Sequence, residues 1–277
     1  MFLVTGATGN VGRPLVAELA AAGAKVRALT RDPAAARFPE GVEGARTGDP
    51  AATDGVEALF LNAAVVWDGG AGPLLRQARE SGVRRVVALS SSSVTGTLDL
   101  PADNPISRHH HELEAEVEAS GMEWTHLRAD AFAVNTRGWA PQIREDGVVR
   151  DAYGWSRSVP VHEDDVAAVA ARALLTGGLA GQAPVLTGPE ALTKAEQVRL
   201  IGEALGRPVR FVEIPAAEAR AGMTSGGVPG EVADTLLALA ARCVDHAPEV
   251  SPDIERITGR PARTYARWAR DHAADFR

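Results

Sequence analysis

The first thirty residues alternate between the hydrophobic pattern of a strand and that of a helix. An apolar run over Phe2–Val4 leads into the segment Thr5–Gly12. Apolar residues then recur at helical spacing, at Leu15, Val16, Leu19 and Ala22. Gly23 ends this predicted helix, and Lys25–Thr30 predicts a second strand. A strand, a helix and a strand of these lengths predict a βαβ unit, whose crossover makes the two strands parallel.

The same alternation continues through the middle of the chain. Further strands are predicted near Ala45 and over Ala58–Leu61, Arg85–Ser90 and Trp124–Leu127. Helices are predicted between and after them over Pro73–Ser81, Arg108–Ser120 and Val166–Leu175. Asp164 and Asp165 precede the third helix and are its candidate caps. The pattern predicts the α/β class with a Rossmann-type, doubly wound parallel sheet.

The pattern changes after Gly177. Ala183–Thr187 predicts a last strand, and Thr193 with Glu196 has the spacing of a capping box that opens a helix ending at Gly206. A strand over 209–214, two more helices and a glycine-rich loop over 223–230 are predicted to complete the chain.

Composition limits the class of protein. The chain has 277 residues, of which 45% are hydrophobic and 23% charged, as expected for a folded domain. Its net charge of −7 argues against nucleic acid as a partner. The single cysteine, Cys243, cannot form an internal disulfide. Since we find neither an apolar run long enough to cross a membrane nor a leader, we expect a cytoplasmic protein without a membrane partner.

Three glycines with the spacing G-x-x-G-x-x-G follow the first strand, at Gly6, Gly9 and Gly12. Glycines between a strand and a helix let the backbone approach a pyrophosphate, whose charge is favoured at the helix amino terminus. This predicts a dinucleotide site, although a purely structural tight turn is the alternative. Arg31 follows the second strand, where NAD-selective sites have an acid, and favours the 2′-phosphate of NADP(H). Asp32 keeps NAD(H) open, and a merely solvated Arg31 is the other alternative.

At this point the chain resembles the NmrA-like family of atypical short-chain dehydrogenases/reductases. The resemblance covers nearly the whole chain and is carried by the segments 5–12, 30–33, 48–49, 90–92, 120–128, 164–167 and 186–189. It implies a Rossmann domain over 1–135, to which 160–188 return, and a smaller C-terminal α/β substrate domain over 136–159 and 189–277. Members of the family include NAD(P)H-dependent quinone, dye and natural-product reductases, and also redox sensors without catalytic activity.

The resemblance also implies a set of cofactor contacts. The residues that would line the pyrophosphate are Gly6, Thr8, Gly9, Asn10, Val11 and Gly12. Arg31 would contact the adenosine phosphate and Asp49 the adenine. The residues that would run beneath the ribose and the nicotinamide are Leu61, Asn62, Ala63, Ser90 and Ser91.

The chain lacks the usual catalytic pair of short-chain dehydrogenases. Its two tyrosines, Tyr153 and Tyr265, do not lie four residues from either lysine, Lys25 or Lys194. A conjugated acceptor such as a quinone suits this absence, because its reduced oxyanion is delocalised and needs less help from a general acid. The sequence therefore argues against an ordinary alcohol dehydrogenase.

Three residues are the candidates for the acceptor side. His110 lies close to the apolar stripe of its predicted helix, with His109 as the second choice, and could contact the cofactor or the substrate. Ser91 and Ser92 follow a strand at the sheet edge where such folds bind ligands, and could hydrogen-bond an acceptor carbonyl. The alternatives are a half-buried helix histidine and serines that satisfy the loop backbone. We predict no metal, since no third ligand accompanies His110 and Glu114.

Aromatic residues suggest the nature of the acceptor. We expect a flat apolar pocket lined by Phe132, Trp139, Tyr153, Trp155 and Met223. The alternative is that these residues form the core of the smaller domain. The sequence favours an NADPH-dependent reductase of a quinone or a polycyclic aromatic carbonyl compound in secondary metabolism, acting as a monomer or homodimer. A non-catalytic NADP(H)-sensing regulator is the alternative.

Overall fold

A seven-stranded parallel sheet forms the centre of the protein in the computed structural model, which describes residues 1–66, 70–96 and 104–277. The strand order is β3-β2-β1-β4-β5-β6-β9, and every pairing in this sheet is parallel. Its strands are β1 (Phe2–Val4), β2 (Val26–Thr30), β3 (Glu43–Arg46), β4 (Ala58–Asn62), β5 (Arg85–Ser91), β6 (Glu123–Ala129) and β9 (Val185–Leu186). The order reverses between β1 and β4, which places a crevice at their carboxyl ends. The predicted doubly wound α/β fold is confirmed.

Ten α-helices are described. They are α1 (Gly12–Ala21), α2 (Gly72–Glu80), α3 (Pro105–Ala119), α4 (Ala140–Glu145), α5 (Glu163–Thr176), α6 (Lys194–Leu205), α7 (Ala216–Ser225), α8 (Gly230–Asp245), α9 (Asp253–Thr258) and α10 (Tyr265–Asp271). Helices α1 and α5 pack on one face of the large sheet, where Leu15 and Val169 are fully buried. Helices α2 and α3 cover the other face with Leu75 and Val117. Because helices cover both faces of the large sheet, the side chains of its central strands are buried on both sides, which explains why these strands are continuously hydrophobic.

The remaining strands form two small sheets beside the large one. Strands β7 (Val148–Asp151) and β11 (Arg210–Glu213) are parallel, while β8 (Arg157–Ser158) and β10 (Leu192–Thr193) are antiparallel. A separate core packs Ile143 of α4 and Ile201 of α6 against Trp268 of α10. The chain thus builds a second apolar core beyond the edge of the large sheet.

Two local predictions about helices are wrong. Neither Asp164 nor Asp165 caps α5, because the helix begins earlier and the His162 Nδ1 accepts the N–H of Asp164 at 3.1 Å. Asp165 instead accepts the backbone N–H of Arg263 at 2.7 Å. Four helices rather than two follow β11, and Met223 belongs to α7 rather than to a loop. Among the described helices, none is both long and apolar enough to cross a membrane.

Candidate active site

The glycine turn between β1 and α1 is held by close backbone packing. Gly6 has a positive φ of 61°, a conformation that favours glycine. A side chain at Gly12 would place its Cβ 2.1 Å from the Gly6 carbonyl oxygen, so only glycine lets α1 approach the turn this closely. Thr5 Oγ1 donates to the Phe60 carbonyl at 3.0 Å and accepts from the Asn62 N–H at 2.8 Å. These bonds fix the turn against the end of β4.

The turn leaves backbone donors for an anion. Gly9 N–H donates to the Gly6 carbonyl, whereas the N–H groups of Asn10, Val11 and Gly12 have no acceptor among the described residues. No side chain caps the amino terminus of α1. Unpaired N–H groups at the positive end of a ten-residue helix fit a pyrophosphate. The residues present therefore suit the dinucleotide that the sequence predicts here.

The carboxyl end of β2 presents Arg31 and Asp32 to solvent. The Asp32 Oδ1 accepts the N–H groups of Ala34 and Ala35 at 3.1 and 3.3 Å, so this carboxylate is engaged in its own turn. Asp49, predicted near the adenine, likewise accepts the N–H of Ala51 at 2.9 Å. Of the two charges after β2, Arg31 is the one that the local backbone does not use.

A cavity of about 580 Å³ lies at the carboxyl edge of the large sheet. The ends of β4, β5 and β6 form its floor, with Asn62, Ala63 and the serines after β5 among the lining residues. Helices α3, α6 and α8 and the 3₁₀ turn Ala133–Trp139 contribute further walls. The cavity thus includes Asn62, which lies beside Gly6 of the glycine turn, and also reaches residues of the small sheets.

The serines after β5 differ in the direction of their hydrogen bonds. Ser90 Oγ donates to the Glu114 carboxylate at 2.6 Å, and Ser92 Oγ donates to the Asp130 carboxylate at 2.7 Å. Ser91 Oγ accepts the Ser93 N–H at 3.2 Å, which leaves its own proton available. Ser93 Oγ is buried and has no hydrogen-bond partner within the described residues. Ser91 and Ser93 are therefore the two hydroxyls in this run that can donate to a ligand.

Glu114 on α3 connects the ends of β5 and β6 through hydrogen bonds to its carboxylate. Its carboxylate also accepts the Arg128 guanidinium in a two-pronged contact at 3.0 and 2.7 Å. Burial opposes ionisation of Glu114, but the hydrogen bonds from Arg128 and Ser90 outweigh it and lower the pKa. The Glu114 carboxylate accepts the Ser90 hydroxyl proton, so that Ser90 Oγ offers an acceptor to the cavity.

His110 lines the cavity from α3. Burial lowers its pKa from the ordinary 6.5 to about 4, and the neighbouring His109 lowers it further, while Glu114 opposes the shift. The imidazole is therefore neutral at neutral pH. His109 lies beside the backbone of Ala63, and its pKa is also lowered by burial.

Only some of the residues predicted to line the apolar pocket reach the cavity. Phe132, Trp139 and Met223 line it. Trp155 is 68% exposed and is not part of the wall, and Tyr153 packs instead beside Ala219 in a small separate cluster. Tyr153 has a φ of 57° and precedes the turn at residues 154–155, while Asp151 before it and Ser156 after it line the cavity. The placement of Tyr153 and Trp155 does not agree with the expectation that they face the cleft.

Two of the residues predicted to contact the cofactor have side chains that do not line the cavity, so only their backbone could reach it. Leu61 is fully buried in the core beneath the sheet, with Leu59 and Leu75, and does not line the cavity. Val11 is buried in the opposite core. Alternation along a strand sends neighbouring side chains to opposite faces, which explains why Asn62 reaches the cavity and Leu61 does not.

Sequence reasoning missed several cavity residues. Arg157 of β8 and Lys194 of α6 line the end nearest the small sheets, and Leu236 and Cys243 of α8 line a side wall. Burial and the Asp130 charge raise the pKa of the Cys243 thiol. These residues lie far apart in the sequence, and no local motif marks them. The strand partnership of Thr193 with Arg157, a feature of the folded chain, is what brings two of them together.

A family model described as NAD(P)H-binding matches residues 6–176, which is more than half of the chain. The chain belongs to this family. It is an NAD(P)H-dependent oxidoreductase, as the resemblance to atypical short-chain dehydrogenases/reductases implies.

Relatives match over almost the whole length. The (4-alkanoyl-5-oxo-2,5-dihydrofuran-3-yl)methyl phosphate reductase of Streptomyces griseus is 40% identical over 285 residues, covering 100% of this chain and 99% of that protein. The NAD(P)H azoreductase of Xenophilus azovorans is 36% identical over 288 residues, with 100% and 99% coverage. The NADPH complex of an NADPH-dependent quinone oxidoreductase from Escherichia coli superposes with a TM-score of 0.77 at 26% identity, covering 97% of this chain and 98% of that one.

Proposed function

We propose that the protein uses NADPH to reduce a quinone or a polycyclic aromatic carbonyl compound in secondary metabolism. The observation that carries the proposal is the cavity at the sheet edge, which combines Phe132, Trp139 and Met223 with the available hydroxyls of Ser91 and Ser93. Flat apolar walls suit an aromatic acceptor, and hydroxyl donors suit its carbonyl oxygen.

Bound NADPH supplies the hydride. When a hydride adds to a conjugated acceptor, an electron pair moves to the carbonyl oxygen and creates an oxyanion. The Ser91 hydroxyl donates a hydrogen bond to this oxygen, and the neutral His110 imidazole shields it from bulk water. Since the negative charge is delocalised over the ring, the reduced anion is stable enough to leave the cavity and take its final proton from solvent. The chain therefore needs no tyrosine with a lowered pKa.

Ser90 and Asn62 orient the cofactor in this proposal. Glu114 keeps Ser90 Oγ as an acceptor towards the cavity, and Asn62 caps the following turn by accepting the Ala64 N–H at 3.0 Å. Both line the cavity, and Asn62 lies beside Gly6 of the glycine turn. Arg31 favours NADPH over NADH by pairing with the 2′-phosphate.

The relatives support an unsaturated acceptor. Their names refer to an oxo-dihydrofuran phosphate, to azo compounds and to quinones. All three classes contain a polar double bond that can accept a hydride. The lining of the cavity favours the larger and flatter members of this range.

The test is a panel of benzo-, naphtho- and anthraquinones with purified protein and NADPH, followed by the loss of NADPH absorbance. We expect turnover that is fastest for two- and three-ring quinones. No acceptor raising the rate above that of a protein-free control would overturn the proposal. Tight NADP(H) binding by calorimetry together with that result would instead support the sensor function.

A further inference from the structure

The end of the cavity away from the glycine turn has a different chemistry from the rest. Its wall contains Arg157, Lys194 and Ser158, which reach it from β8 and the start of α6. Strand β8 pairs with β10 so that Arg157 faces Thr193, and the N–H of Lys194 donates to the Ser156 carbonyl at 3.1 Å. The two basic side chains therefore start close together, Arg157 opposite Thr193 on β8 and Lys194 directly after Thr193 at the start of α6.

These side chains are donors that protein contacts leave partly unused. Lys194 Nζ donates to Asp151 Oδ2 at 2.8 Å and to the Ala152 carbonyl at 2.9 Å, which leaves one of its three N–H groups. The Arg157 Nη1 donates to the Val244 carbonyl at 3.2 Å. Within the described residues, Arg157 forms no ion pair with a carboxylate, whereas Lys194 pairs with Asp151.

The hydroxyl of Ser158 is set to donate as well. The Gln197 Nε2 donates to Ser158 Oγ at 3.0 Å and to the Leu192 carbonyl at 3.2 Å. Because Ser158 Oγ accepts this bond, its proton is available to another acceptor. Gln197 is only 4% exposed, so this orientation is fixed by the interior of the protein.

The wall residues at this end, Arg157, Lys194 and Asp151, carry a net charge of +1, and the Glu196 carboxylate outside the wall interacts electrostatically with Arg157. Asp151 is the carboxylate in the wall here, and both of its oxygens already accept, from the Ala152 N–H at 2.7 Å and from Lys194. Glu196 lies nearby but is exposed, lies outside the wall and accepts from Thr193. One guanidinium, one paired ammonium and one hydroxyl donor thus converge on a cavity that is also lined by Phe132, Trp139 and Met223.

We propose that Arg157, Lys194 and Ser158 form a subsite for an anionic group, a phosphate or a carboxylate, carried on the tail of the acceptor. This inference rests on the proposed function and narrows its substrate to an amphiphilic compound with a flat unsaturated body and a charged arm. A planar guanidinium is well suited to bind two oxygens of such a group, and the partly enclosed site strengthens the contact. Arg157 then determines specificity rather than the chemical step.

The test uses binding, so that it does not depend on turnover. Protein saturated with NADP+ is titrated calorimetrically with 1-naphthyl phosphate, 1-naphthoate and neutral 1-naphthol. We expect at least one of the two anions to bind about tenfold or more tightly than 1-naphthol, which is typical of one charge-assisted contact. The stronger of the two anions identifies the group. Saturation with NADP+ keeps the phosphate probe out of the pyrophosphate site.

Variants locate the preference. Arg157→Gln should remove most of the advantage of the anion while leaving 1-naphthol binding unchanged, and Arg157→Lys should retain part of it. Arg199→Gln is the matched control, because Arg199 lies on α6 close to Lys194, is largely exposed and pairs with Glu203. Raising the salt from about 50 to 500 mM should weaken only the anions.

Some results would overturn the subsite. They are equal affinity for 1-naphthol and both anions, no measurable binding of either anion, or an Arg157→Gln variant that weakens all three probes equally, which would indicate a structural role at Val244. The proposed function fails separately: quinones that are not reduced by a protein with a clear anion preference would leave the subsite standing. Quinone turnover without that preference would remove the subsite alone.

Discussion

At the scale of single residues, the candidate site depends on which serine hydroxyls after β5 are free to donate a hydrogen bond to a ligand. Ser90, Ser91 and Ser92 are identical in the sequence, and their place at the end of β5 follows from the strand pattern. Their roles differ because two of them donate hydrogen bonds to carboxylates from other segments. Ser90 donates to Glu114 on α3, and Ser92 donates to Asp130 just after β6. A sequence can predict the serine run at the sheet edge. It cannot predict which hydroxyl remains a donor, because that depends on carboxylates from distant segments.

Replacing Ser91 should therefore affect the reaction more than replacing Ser92. Ser91→Ala removes the donor to the developing oxyanion, and we expect kcat for a quinone to fall about tenfold with little change in KM for NADPH. Ser92→Ala is the matched control, since its proton is held by Asp130. Steady-state kinetics of both variants decides the matter, and equal kcat values would contradict the assignment.

Arg31 should distinguish the two cofactors. Arg31→Ala removes a charge-assisted contact to the 2′-phosphate, so KM for NADPH should rise roughly ten- to a hundredfold while KM for NADH changes little. Arg37→Ala, a second exposed arginine in the same loop, is the control. Equal losses for NADPH and NADH would mean that Arg31 does not bind this phosphate.

His110 should make the protein sensitive to acid. The unfolded chain takes up a proton at the ordinary pKa of 6.5, whereas the folded protein does so only near 4. Above pH 6.5 the neutral His110 therefore costs the folded protein no stability. As the pH falls from 6.5 towards 4, protonation of the unfolded chain lowers the free energy of unfolding. Acidification from neutral pH to about 4.5 should cost about 2 kcal/mol of unfolding free energy at this residue. Urea titrations at the two pH values should show a smaller loss in His110→Gln, and identical losses would refute the assignment.

At the scale of elements, helix ends show what local sequence does and does not determine. The capping box of Thr193 and Glu196 was predictable, and it is confirmed: Thr193 Oγ1 accepts the Glu196 N–H at 3.1 Å, and the Glu196 carboxylate accepts the Thr193 N–H at 2.8 Å. The cap of α5 was not, because His162 caps this helix and is not one of the usual capping residue types. Asp165 is instead held by Arg263, which lies 98 residues further along the chain. A partner this distant leaves no local signal in the sequence.

The capping box gives an element-scale prediction. Thr193→Ala removes the hydroxyl that accepts the Glu196 N–H, and we expect a loss of about 1 kcal/mol in unfolding free energy by urea denaturation. Thr193→Ser keeps this oxygen and should lose less than half as much. If both variants are as stable as the wild type, the box does not stabilise α6.

At the scale of the whole molecule, the large sheet was predictable and the acceptor end of the cavity was not. Each βαβ unit carries its own period of apolar residues, so the parallel sheet follows from local patterns. The walls from α6 and α8 depend on how the second core packs, which no short pattern encodes. For this reason Trp155 is exposed although it is aromatic, while Arg157, two residues later, lines the cavity.

The carboxyl terminus joins this second core to the first. Trp268 Nε1 donates to the buried Glu163 carboxylate at 3.1 Å, and Nε2 of His272 contacts the same group at 2.8 Å. Trp268→Phe leaves Glu163 short of a donor and should cost about 1–3 kcal/mol in unfolding free energy. Trp155→Phe at the exposed tryptophan is the control and should change little. Chemical denaturation followed by circular dichroism measures both.

The late entry of β9 into the large sheet has a practical consequence for protein engineering. After β6 the chain leaves this sheet, passes through β7, β8 and α5, and returns at Val185. A recombinant that stops at residue 135 lacks both α5 and the last strand, so the part of the apolar sheet face that α5 covers would be exposed. Chimeras that exchange the acceptor end between related reductases therefore require three crossover points, one after residue 135 and one on each side of the returning segment.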